Sequence, residues 1–199
     1  EILSVDLLER AAKGALVELK ISYRGSPKKG LWFAGEENGA PTHLFTQGEC
    51  EDSRWWFPCF DYPADRATSE LIVTMPAEWR SVAAGELKSS SAAEMSHTEH
   101  WQMTTPHPVY LTTLVAGDLA LEESEWEGVP LWFLAPKKFA EWMPASFEET
   151  DEILDCFTEL TGLKYPYSKY SQACVEGFPV GGMENISATT LTCETLSDS

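Results

Sequence analysis

A chain of 199 residues with 43% hydrophobic and 12% aromatic content can bury a sizeable core, as one large domain or two small ones. Its 32 acidic against 14 basic residues give a net charge of -18, which repels phosphate backbones and anionic lipid and so puts nucleic-acid and membrane-surface roles at the bottom of the list. No apolar run approaches a membrane span, and five scattered cysteines without a C-x-x-C indicate neither a disulfide framework nor a zinc knuckle, so most of them are expected to be small core residues.

The chain opens on "EILSVDLLER", with neither methionine nor signal peptide, and so reads as part of a longer protein. "ALVELKISYRG" (15–25) alternates Val17, Leu19, Ile21 and Tyr23 against Glu18, Lys20 and Ser22, the period of a half-buried strand. In "HLFTQGECEDSRWWFPCFDYPADR", Gln47 and Glu49 stand two apart, so an extended backbone projects both to one face; taken alone, the pair could equally be a polar loop edge. Trp55, Trp56, Phe57 and Phe60 supply bulk there, the prolines and aspartates fix turns, and Arg54 and Arg66 are expected to pair with nearby carboxylates.

"SELIVTMP", "VYLTTLVAGDL" and "VPLWFLAP" are further strand candidates between turn clusters, so the first two-thirds reads as antiparallel β, in the manner of a sandwich. His97 and His100 stand three apart on an alternating stretch and so point to opposite faces, which disfavours a zinc site; His43 and His107 are isolated and fit satisfied core or surface positions. After Gly128 to Pro136 the period changes to 3.6. Ser146 and Glu149 form a capping-box pattern, Ile153, Leu154, Phe157 and Leu160 make one apolar helix face, and Gly162 closes the helix.

Downstream lies "EGFPVGGMEN" (176–185). Paired glycines weaken a strand, yet at an exposed edge they let another backbone come close while the free N–H and C=O groups offer pairing to an extended peptide. Glu184 follows at the distance where a carboxylate can meet a positive group on that peptide. A turn that merely needs glycine explains the dipeptide as well.

Taken together, "GGMEN" (181–185) and "TQGECEDSRWWFPCFDYPADRATSELIVTMP" (46–76) resemble the zinc aminopeptidase family of aminopeptidase N and leukotriene hydrolase, through its G-x-M-E-N and T-Q-x-E-A…R…F-P-C-x-D-x-P motifs. The resemblance implies a mainly β protein: a saddle-like antiparallel β-sandwich domain (1–130), then the α+β beginning of a thermolysin-like catalytic domain (131–199). It implies a substrate-binding set of Gln47, Glu49, Gly181, Gly182, Met183, Glu184 and Asn185, with the two glycines along the substrate backbone. Glu184 and Glu49 would hold the free α-ammonium of a peptide, and Gln47 would support Glu49.

The family's zinc motif H-E-x-x-H does not occur before Ser199, so the metal ligands are expected outside this chain, within a few tens of residues beyond it, and the chain alone is expected to be inactive. Cys50 replaces the family's usual alanine, and several upstream strands of the β domain would precede "EILSV". A non-catalytic peptide-binding module of the same fold and an epoxide hydrolase of the leukotriene branch are the alternative readings.

Overall fold

The computed structural model describes residues 3–197. Among them the strands are β1 (Leu31–Ala34), β2 (His43–Thr46), β3 (Ala67–Pro76), β4 (Arg80–Ala83), β5 (Glu86–Ala92), β6 (Ser96–His107), β7 (Leu114–Gly117), β8 (Leu119–Trp126), β9 (Val129–Pro136), β10 (Tyr170–Val175), β11 (Gly182–Met183) and β12 (Thr189–Thr192). Two α-helices, α1 (Met143–Phe147) and α2 (Thr150–Thr161), stand between β9 and β10.

Three sheets result, with orders β1-β2-β7-β4, β3-β6-β5 and β11-β12-β10-β9-β8. The first two are antiparallel throughout, as the alternating sequence predicts. In the third, β10 runs parallel to both β9 and β12, while β8 and β11 are antiparallel to their neighbours.

Side-chain period decides which layer each strand joins. In β6 the odd positions Glu99, Trp101 and Met103 are buried. Trp101 enters a core shared with Phe45, Val82, Val115, Leu134, Ala173, Val175 and Phe178, from all three sheets. The unbroken apolar run of β9 has both faces covered: Leu134 joins that core, while Leu131, Phe133 and Ala135 join a second one. Met143 and Phe147 of α1 and Leu154 of α2 complete the second core, so the five-stranded sheet is a middle layer between helices and the other sheets.

Several expectations are corrected. Residues 15–25 lie outside every sheet, with Leu19 and Tyr23 exposed; no strand pairs with them among the described residues, and a strand without a ladder gains nothing from its alternation. "VYLTTLVAGDL" divides into a 3-10 turn at Val109–Leu111, β7, and the start of β8. The capping box does not form: Pro144 starts α1 early, so Ser146 lies inside it and donates its hydroxyl to the Trp142 carbonyl at 2.8 Å, and Glu149 caps α2 without a side-chain bond. Of the predicted helix face only Leu154 is buried; Ile153, Phe157 and Leu160 are exposed.

Two of the five cysteines, Cys174 and Cys193, are buried, and all five are free thiols. Trp55 and Phe60 are exposed as well, while Arg54 pairs with Asp61 at 3.0 Å and Glu51 at 2.8 Å as expected. Gly162 closes α2 as expected, in the left-handed conformation.

Candidate functional site

Strand β2 lies inside its sheet, hydrogen-bonded to β1 and β7. His43, Phe45 and Gln47 follow one another on one face at period two, and all three are buried. Each meets the segment that leads into "GGMEN". The Glu176 backbone N–H donates to His43 Nε2 at 3.1 Å. Phe45 and Phe178 pack edge to face, ring centres 5.3 Å apart. Gln47 Nε2 donates to Met183 Sδ at 3.6 Å. Three rungs thus join residues more than 130 positions apart and bring the two motifs together.

Beyond Gln47 the chain turns sharply. A Cβ on Gly48 would lie 2.5 Å from the Tyr110 carbonyl oxygen, so only glycine fits this close approach. Asp52 N–H closes the turn on the Gly48 carbonyl at 2.9 Å. Glu49 is exposed at its outer side, and the Glu49–Cys50 peptide is cis. Arg54 braces the following loop through a bond to Asp61, whose side chain is almost fully buried.

On the other side, β11 is the edge strand of its sheet. Gly181 and Gly182 are exposed; a Cβ on Gly181, just before the strand, would meet no atom within 4 Å, whereas one on Gly182 would lie 2.9 Å from Leu191 Cδ2, so the chain is open at Gly181 and tightly packed at Gly182. Burial alternates through the motif: Met183 and Asn185 face inward and Glu184 faces solvent. Asn185 Nδ2 donates to Thr190 Oγ1 at 3.2 Å. The amide oxygens of Gln47 and Asn185 are buried and accept no hydrogen bond from the protein. Around the Gln47–Met183 contact there are therefore two exposed carboxylates, Glu49 and Glu184, a residue or two away in sequence, and an edge strand. Such a set can receive a cationic donor attached to an extended chain.

A buried lysine, which sequence reasoning passed over, anchors the residues after the motif. Lys169 Nζ donates to Ser171 Oγ at 2.9 Å and to the Ser187 carbonyl at 3.0 Å, and lies 5.3 Å from the Trp101 ring centre. Ser187 Oγ in turn accepts from Gly85 N–H at 2.8 Å. Burial pulls the Lys169 pKa down to about 7, because the ammonium is desolvated. The rungs through His43 and Phe178 were missed too, although the period of "HLFTQ" already sets residues 43, 45 and 47 on one face.

A cavity of about 490 Å³ lies elsewhere, between Tyr23, Trp56, Phe57, Phe60 and the start of β3, and no residue of the candidate site lines it. His97 bonds Ser90 and the Trp79 carbonyl, whereas His100 bonds Glu70. Among the described residues no three His, Cys, Asp or Glu side chains converge to hold a metal ion, so the zinc implied by the resemblance has no ligand set there.

Residues 1–111 match the Peptidase M1 N-terminal domain. The chain is 33% identical over 144 residues to aminopeptidase N of Acetobacter pasteurianus, covering 71% of this chain and 41% of that protein. It is 30% identical over 155 residues to aminopeptidase N of Streptomyces lividans, 75% of this chain and 18% of that protein. With aminopeptidase B of Mus musculus it shares 29% over 187 residues, 88% of this chain and 27% of that one. The chain thus spans less than half the length of these relatives. With its two motifs joined across β2 and more than half its length matched to the family's N-terminal domain, the chain belongs to the M1 peptidase family, the zinc aminopeptidases that its motifs resemble.

Proposed function

We propose that this chain carries the amine-binding part of a zinc-dependent aminopeptidase that removes N-terminal residues from peptides. The observation that supports this most is the three-rung contact between the β2 segment and residues 176–183, whose last rung brings Gln47, two residues before Glu49, to Met183, one residue before Glu184. In this reading an extended peptide lies along the edge of β11, with the exposed Gly181 and Gly182 along its backbone. Its terminal ammonium is held by Glu184 and Glu49, with Gln47 supporting Glu49 and the buried Met183 and Asn185 as the packed base of the site.

Electrostatics makes such a site an end-reader. An α-amino group has a pKa near 7.7–8.0 and is mostly charged at neutral pH, and each hydrogen bond to a charged partner contributes about 1.5–3 kcal/mol. An internal peptide brings an uncharged amide instead and leaves the carboxylates unpaired. The relatives' names, aminopeptidase N and aminopeptidase B, agree with this reading. Zinc is the proposed cofactor of the whole protein, held by residues outside this chain.

The proposed architecture is a saddle-like β domain over residues 1–130 followed by the start of a thermolysin-like domain over 131–199, with β8 reaching across to pair with β9. The chain by itself is proposed to be inactive. The test compares hydrolysis of leucyl-anilide and N-acetyl-leucyl-anilide by the whole protein, with and without a chelator. The reading requires chelator-sensitive turnover of the free-amine substrate alone; equal turnover of both would refute it.

A further inference from the structure

Of the three rungs between β2 and the 176–183 segment, the first is titratable. His43 is fully buried and both ring nitrogens are occupied. Because Nε2 accepts the Glu176 N–H at 3.1 Å, the ring proton sits on Nδ1, which faces Thr42 Oγ1 at 3.1 Å and donates to it. A neutral ring satisfies this arrangement completely. A protonated ring has donors on both nitrogens, so Nε2–H would confront the Glu176 N–H with no acceptor between them.

The charged groups around this joint are Glu176 and Lys138, which pair with each other at 2.6 Å. Glu36, Glu37 and the Asp118–Lys137 pair line the adjoining groove beside Thr42. None of these carboxylates bonds the ring itself. Burial lowers the His43 pKa; the Glu176 carboxylate opposes that and Lys138 reinforces it.

The segment from Glu176 to Met183 is pinned to β2 at its start by His43, in the middle by Phe45 and at its end by Gln47. We propose that His43 is a positioning residue for amine binding: as a neutral acceptor it seats Glu176 and thereby fixes Gly181 to Glu184 against Gln47 and Glu49, and its protonation unseats them. The inference rests on the aminopeptidase reading above and adds a pH-dependent control of KM to it. By reciprocity, a bound amine favours the neutral ring and moves the His43 titration to lower pH.

The experiment uses the whole protein as wild type, His43→Gln and His43→Phe, with leucyl-anilide hydrolysis followed from about pH 7.5 down to about pH 5.5. The Gln side chain offers an acceptor that cannot titrate in this range. Wild-type KM is expected to rise more steeply on acidification than that of His43→Gln, which starts within about twofold of wild type. His43→Phe, with no acceptor, is expected to show KM raised about fivefold at every pH and kcat within about threefold of wild type.

If His43→Phe does not fold, the NMR titration of the His43 ring decides, with leucine amide expected to shift it to lower pH. Identical KM profiles for wild type and His43→Gln, or a ring titration indifferent to leucine amide, would overturn the proposal. Failure of the wild type to cleave leucyl-anilide would instead remove the aminopeptidase reading, and the ring titration with leucine amide would still decide the role of His43.

Discussion

The side-chain amide of Gln47 donates to the sulfur of Met183 at 3.6 Å, across 136 positions of sequence, and this one contact joins the two motifs that define the candidate site. Thioether sulfur is a weak acceptor, so the bond positions more than it stabilises. Gln47→Met, close in volume, should therefore keep the fold, with Tm within about 3 °C of wild type. It should lower kcat/KM for a free-amine substrate about five- to tenfold, since the amide oxygen and the tie to Met183 are both lost. Thermal melts and steady-state kinetics on the whole protein check both halves.

The open position at Gly181 yields a prediction that separates binding from folding. A Cβ at Gly181 would meet nothing within 4 Å, so Gly181→Val should leave Tm within about 2 °C of wild type. The same isopropyl group would stand where the peptide backbone is proposed to lie, and KM should rise about tenfold or more. An unchanged KM would show that substrate does not use this edge.

Lys169 imposes a pH dependence on stability. Its folded pKa is about 7 against an ordinary value of 10.5, so between those values the unfolded chain holds a proton that the folded chain has released. Stability should accordingly rise with pH across about 7 to 10.5, by an amount on the order of a few kcal/mol, and below about 7 the fold carries the full cost of burying the ammonium. Lys169→Met should remove most of that slope and should melt higher than wild type near pH 6. Melting temperatures of both proteins across this range give the comparison, and parallel curves would contradict the assignment.

How much of this was legible in the residues differs from one element to another. β3 and β9 were readable because alternation and an unbroken apolar run are local patterns with one structural solution each. Residues 15–25 alternate as cleanly and form no strand, because a strand is defined by its partner, which local period does not supply. The capping box failed for a related reason: Ser146 is a good cap in isolation, but Pro144 two residues earlier had already started a helix around it.

At the site, the motif residues themselves were visible in the sequence, while the rungs that join them were not. His43–Glu176 and Phe45–Phe178 are contacts between segments, and nothing in "HLFTQ" or "EGFPV" alone names the other as partner. Lys169 was hidden for the opposite reason, since a single lysine in "YPYSKYSQ" reads as surface until Trp101 and Ser187 are seen to enclose it.

The central claim is that Glu184 and Glu49 together hold a peptide's terminal ammonium. Its most direct test is kcat/KM of the whole protein on leucyl-anilide for wild type, Glu184→Ala and Glu49→Ala. Each substitution is predicted to lower kcat/KM by more than about tenfold, a loss above about 1.4 kcal/mol of transition-state stabilisation. Both variants remaining within about tenfold of wild type would contradict it.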